Sequence, residues 1–209
     1  ALRDAKDGPV AEGNVGGGTG MVCHEFKCGI GTASRRVDAY TVGVLVQANY
    51  GIRDTLRIAG VPVGQHLRAD RVYTDAAITG DTGSIIIVVA TDAPLLPHQL
   101  DRIAKRAGMG LARMGSYAGN GSGDIFLAFS TANAAAAAGA ALNQATFIGN
   151  DHLDGLFEGT VQATEEAIVN AMVAARDMQG EGGRYAKAIP HDALVRLLKQ
   201  YGRYQPGKK

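Results

Sequence analysis

A layered mixed α/β domain, with helices packed on a sheet, is the fold class this sequence predicts. Three observations predict it. Residues 40–51 and 85–90 are dense in β-branched and apolar side chains, as buried strands are. Leu100, Ile103, Ala104, Ala107 and Leu111 recur at helical spacing, and a second amphipathic pattern runs through 157–178. The strand and helix signals do not alternate strictly, which fits a layered α/β arrangement rather than repeated units.

In chain order, 12–37 reads as turn-rich backbone with short extended pieces, because glycines interrupt every apolar run. The stretch 40–51 reads as a buried strand closed by Asn49-Tyr50-Gly51, and 55–64 as a hairpin-like piece punctuated by Gly60 and Pro62. Residues 65–83 are polar, weakly periodic and end in glycine, the signature of an exposed loop that tolerates backbone cleavage. Ser84 then opens the strongest strand signal, a continuous apolar run expected to be buried on both faces and closed by Pro94 and Pro97. A helix follows over 98–114, then a Gly-rich turn feeding a strand over Ile125–Ser130. A long helix covers 157–178, with Val161, Ile168, Val169, Met172 and Val173 apolar. A short helix ends the chain, between Pro190 at its start and Gly202 just past its end.

Bulk properties exclude several classes. The 209 residues carry a net charge of +1, which gives no electrostatic footprint for nucleic acid or a membrane surface. No apolar run reaches the ~20 residues of a membrane span, and the first residues lack the regions of a signal peptide. The cytoplasm is the expected compartment. The chain does not start with methionine, so further residues are expected upstream. Cys23 and Cys28 are expected as buried or unpaired thiols rather than metal ligands, although His24 lies between them. Glycine is over-represented, with 29 residues against an ordinary share of ~7%. The clusters at 13–31, 80–83 and 108–123 mark close backbone approach at particular places.

The seam Gly83-Ser84 carries the chemistry. A serine hydroxyl is a weak nucleophile until a base takes its proton. A free α-amine titrates near ~8, so it can serve as that base. If the chain opens before Ser84, hydroxyl and base share one residue. Before opening, the hydroxyl can attack the Gly83 carbonyl, and the strand behind holds it still. The plainer alternative is a serine that merely starts a strand. Ser122 and Asp124, two apart in "NGSGD", fall on one side of an extended segment and could orient that amine or anchor a cationic substrate; otherwise Asp124 is a satisfied acid at a strand start. Asn49 at a strand end could donate to an oxyanion or simply make a turn. Glu165-Glu166 read as helix-dipole acids early in a helix rather than a catalytic dyad.

Four stretches together resemble one family: "EGNVGGGTGMVCHEFKCGIGTASR", "VGVLVQANYG", "GSIIIVVATDAPLLPHQLDRIAKRAGMGLARMGS" and "AGNGSGDIFLAFSTAN". They are similar to the L-aminopeptidase D-Ala-esterase/amidase family, which includes β-peptidyl aminopeptidases, and the likeness runs through nearly the whole chain. The resemblance implies an α/β/β/α sandwich like the N-terminal-nucleophile hydrolases, with different connectivity. It implies self-cleavage between Gly83 and Ser84, leaving 1–83 as the end of a larger subunit and 84–209 as the smaller one, within a single catalytic domain lacking its N-terminal part. Ser84 would be the nucleophile, Ser122 and Asp124 its support (the family often has Glu at the latter), and Asn49 part of the oxyanion hole. The absent part would add sheet, pocket residues and a tyrosine near the oxyanion. The implied activity is removal of N-terminal residues from short peptides, amides and esters, without cofactor or metal. The implied partners are these substrates, the two fragments for each other, and further copies in a homo-oligomer. An acyltransferase resembling ornithine acetyltransferase is the alternative, disfavoured because such enzymes expose threonine where this chain has Ser84. A non-catalytic module using 13–31 as an anion nest is a second alternative.

Overall fold

A computed structural model describes residues 3, 5–69, 71, 83–137, 139 and 141–206. Along the chain run β1 (Val22–Cys23), β2 (Phe26–Lys27), β3 (Ile30–Val37), β4 (Tyr40–Asn49), α1 (Val63–His66), β5 (Ser84–Thr91), α2 (Pro97–Arg113), β6 (Ile125–Ser130), α3 (Asp154–Val173), β7 (Met178–Gln179), β8 (Tyr185–Ala186) and α4 (His191–Gln200). The main sheet has the order β3-β4-β5-β6. Its first three strands pair antiparallel, and β5 pairs with β6 in parallel. A parallel pair needs a crossover, and α2 supplies it.

Period-two alternation splits the sheet into two unlike faces. Val42, Val44, Val46 and Ala48 of β4, with Ile85, Ile87 and Val89 of β5, are buried on one face. On that face α3 lies against β3 and β4, α2 lies against β5 and β6, and the helices touch each other. The opposite face stays open among the described residues: Ile86 is 40% exposed, Ile125 56%, Leu127 54% and Phe129 43%. Among the described residues the expectation that β5 is buried on both faces is therefore corrected, since the described helices cover one face only. The class is the mixed α/β one expected; of the four implied layers, the described residues build the four-stranded sheet and one layer of helices, with β1-β2 and β7-β8 as two small separate sheets. No described helix is long and apolar enough to cross a membrane.

Small residues set the depth of the helix–sheet contact. The face of α3 turned to the sheet runs through Gly159, Ala163, Ala167 and Ala171, not chiefly through the larger side chains that periodicity picked out. Val161, Val169 and Val173 are only half-buried. A Cβ on Gly31 of β3 would lie 2.6 Å from the Ala171 nitrogen and 2.8 Å from its Cβ, so glycine is what lets strand and helix meet.

Three further expectations change. The turn-rich reading of 12–37 missed β3, because this edge strand is half-polar, with Ser34, Arg35 and Arg36 in its run. Because α3 begins at Asp154, Glu165 and Glu166 fall in its middle rather than its first turns. They form ion pairs instead, Glu165 with Arg113 at 2.7 Å and Glu166 with Arg35 at 2.5 Å. Cys23 and Cys28 are not free thiols: the β1–β2 hairpin brings their Cα atoms to 5.4 Å and they form a buried disulfide. His24 and Glu25 make the turn with left-handed φ of 47° and 62°. The His24 N–H donates to the Tyr50 carbonyl at 2.8 Å, and the Glu25 carboxylate accepts the Arg53 N–H at 3.1 Å. The expected cleavage loop lies mostly outside the described residues. Of it, Gln65 and His66 end α1, which begins at Val63 within the stretch read as hairpin-like, and Arg71 is tied to Glu25.

Candidate active site

The sheet register places the seam. Ser84, the first residue of β5, is the cross-strand partner of Asn49, the last of β4. Directly opposed residues of an antiparallel pair have Cβ atoms roughly 5 Å apart. The Asn49 carboxamide is oriented from behind, its Oδ1 accepting the Val22 N–H at 3.1 Å. A backbone donor must meet oxygen, so this bond assigns the amide and leaves its NH2 as the group free to donate.

The Gly-rich turn before β6 closes the other side. The Gly123 N–H donates to the Ser84 Oγ at 2.8 Å. The Ser122 hydroxyl donates to Asp124 Oδ1 at 2.6 Å, and the same oxygen accepts the Ile85 N–H at 3.1 Å. The second oxygen, Asp124 Oδ2, is buried without a hydrogen-bond partner among the described residues. An uncompensated carboxylate oxygen of this kind is unfavourable. It marks a place beside the start of β5 where a cation or donor would be held.

All four sequence-predicted residues, Ser84, Asn49, Ser122 and Asp124, thus gather around the start of β5. The Ser122 hydroxyl bonds Asp124, and the group on the Ser84 hydroxyl is the Gly123 amide. A Cβ on Gly83 would run into the Asn49 and Tyr50 backbone, 2.8 Å from Tyr50 Cα. Sequence reasoning missed Gly123 and Val22 because both act through main-chain N–H groups, which leave no side-chain signal.

A hydroxyl held by a backbone donor, a carboxamide opposite it and a carboxylate at the strand start are suited to acyl transfer, with charge developing on a carbonyl oxygen. The profile of Peptidase family S58 matches residues 1–186. The chain belongs to peptidase family S58. Within S58 it is 49% identical to the β-peptidyl aminopeptidase BapA of Sphingosinicella microcystinivorans over 223 residues, covering 100% of this chain and 56% of that protein. Among solved structures it resembles the L-aminopeptidase D-Ala-esterase/amidase of Ochrobactrum anthropi, described as a prototype serine aminopeptidase and a new variant of the Ntn hydrolase fold. The TM-score is 0.87 at 48% identity, over 97% of this chain and 56% of that one. It also resembles a Burkholderia sp. β-aminopeptidase, with a TM-score of 0.85 at 48% identity, over 99% of this chain and 58% of that one. The chain thus spans little more than half the length of these S58 relatives. Its glycine-rich stretch turns carbonyls inward, those of Gly18 and Met21 meeting the Lys27 ammonium, which is the reverse of an anion nest.

Proposed function

We propose that this chain carries the nucleophile of a self-processing serine aminopeptidase. One observation carries the reading: the Ser84 hydroxyl, the Asn49 carboxamide and the Ser122–Asp124 pair converge on the first residue of a central strand, at the seam where cleavage is expected. In processing, the Ser84 Oγ attacks the Gly83 carbonyl carbon, the peptide nitrogen becomes the Ser84 amine, and water hydrolyses the resulting ester. Cleavage leaves segments 1–83 and 84–209 associated through the β4–β5 pairing.

In turnover the free Ser84 amine takes the hydroxyl proton while Oγ adds to the substrate carbonyl. The Asn49 NH2 and neighbouring backbone amides hold the oxyanion. Collapse breaks the scissile bond, and the proton passes from the Ser84 ammonium to the leaving amine. Water then repeats the sequence on the acyl-enzyme. The vacant Asp124 Oδ2 supports a further assignment: it accepts from the Ser84 amine once cleavage frees it, with Ser122 fixing the carboxylate. The relatives' names, an aminopeptidase of β-peptides and an esterase/amidase, support amides and esters beside a free amine as the substrate class.

Mass measurement of the purified protein tests this. The expected result is two pieces, the lighter beginning at Ser84, and one uncut, inactive chain for Ser84→Ala. Active material with a continuous chain, or a Ser84→Ala protein still cut after Gly83, would refute it.

A further inference from the structure

Lys27 is a buried cation that the mechanism above does not use. It sits in β2 with 2% of its surface exposed, and among the described residues it has no carboxylate partner. Burying a charge is unfavourable unless its hydrogen bonds are satisfied. An ammonium has three donors, and here all three are used on main-chain carbonyls: Gly18 at 3.3 Å, Met21 at 2.5 Å and Cys28 at 2.8 Å. An apolar side chain would fill the space without desolvating a charge, so what the lysine adds is organisation of those three carbonyls.

The carbonyls belong to the segment that enters the site. Gly18 and Met21 lead directly into Val22, whose N–H is the donor on Asn49 Oδ1. The Met21 carbonyl also accepts the Cys28 N–H at 3.1 Å, and Cys28 is joined to Cys23, the residue after Val22. The ammonium therefore sits at the centre of a short closed circuit, and one of its outward connections is the bond that aims the Asn49 amide. From this we infer that Lys27 is a positioning residue for the oxyanion donor, acting through the 18–22 main chain and Val22 on Asn49. The inference rests on the proposed role of Asn49.

A double-mutant cycle in the intact protein tests it, with an amino-acid p-nitroanilide as substrate and rates normalised to the cleaved fraction found by mass. Asn49→Ala is expected to lower kcat about 10²–10³-fold, as loss of an oxyanion donor does. Lys27→Met is expected to lower kcat about tenfold or more with KM within about twofold, and to add less than about twofold when Asn49 is already alanine. Independent, multiplying losses would overturn the inference, as would an unchanged kcat in Lys27→Met. An Asn49→Ala protein with full kcat would remove the oxyanion reading itself, whatever Lys27 does. Should Lys27→Met not fold, Lys27→Gln, neutral with a donor amide, carries the same cycle. If neither folds, Lys27 is a stability element and the inference falls.

Discussion

Replacing Gly83 by alanine tests the seam without touching any group that does chemistry. The new Cβ would collide with the Asn49 carbonyl oxygen and lie 2.8 Å from the Asn49 carbonyl carbon and from Tyr50 Cα, at least ~0.7 Å inside ordinary carbon–carbon contact of ~3.5 Å. The obstructing atoms are strand-end backbone, not the tip of a flexible side chain, so the Gly83 carbonyl must retreat by a comparable distance. Near-attack geometry requires reacting atoms at about 3–3.5 Å, and a misplacement of ~1 Å lowers rates by roughly 10²-fold. Gly83→Ala is accordingly expected to slow self-cleavage about 10- to 100-fold. The measurement is the time course of the uncut chain by intact mass after a synthesis pulse. Once cut, the variant should turn over substrate at the wild-type rate, because Gly83 then only ends the other fragment. Cleavage at the wild-type rate, or an equal loss in both steps, would refute the close-approach argument.

Two other perturbations read the fold that supports the site. Gly31→Ala forces a Cβ against Ala171 of α3; overpacking of this kind lowers stability by about 1–3 kcal/mol, read as a fall in denaturant midpoint. An unchanged midpoint would show that α3 does not sit as close to β3 as described. Burial lowers the pKa of Lys27 from its ordinary 10.5 to about 8. Between those values the unfolded chain holds a proton the folded one has released, so this group makes stability rise with pH across that window. Wild type should gain on Lys27→Met from pH 8 towards 10.5 in denaturant titrations, and parallel curves would show that the pKa is not depressed.

How much of this was legible in the sequence depended on whether side chains or main chain carry the information. Burial writes β-branched residues into β4 and β5 at every second position, so both strands could be read, and Ser84 stood out because it interrupts that pattern. Ser122 and Asp124 were readable as a pair because period two puts them on one side, and they do bond each other. The edge strand β3 was not readable, since half-exposed polar positions blur its alternation. The sheet-facing stripe of α3 was missed because glycine and alanine contribute little to apolar periodicity, although they fix how near helix and sheet come. Gly123 and Val22 act through N–H groups that any residue but proline possesses. The Cys23–Cys28 bridge depends on a hairpin whose turn, His24-Glu25, lacks the usual glycine or asparagine for left-handed φ. Buried contacts from Tyr50 and Arg53 hold that turn, and they are distant in sequence.

The open face of the sheet bears on what such a site can select. Period two puts Ser84 on the same side of β5 as Ile86, away from α2 and α3. That side continues through Ile125, Leu127 and Phe129 of β6, all substantially exposed. The groups proposed to act on the carbonyl are held from the strand ends and from the turn before β6. An oxyanion donor and a tethered base recognise a carbonyl and its leaving group, and neither touches the side chain beyond. Ile86, Ile125, Leu127 and Phe129 form an apolar floor leading away from the nucleophile, which favours whatever apolar surface is laid against it. The chemistry, on the proposed reading, belongs to the strand ends described here.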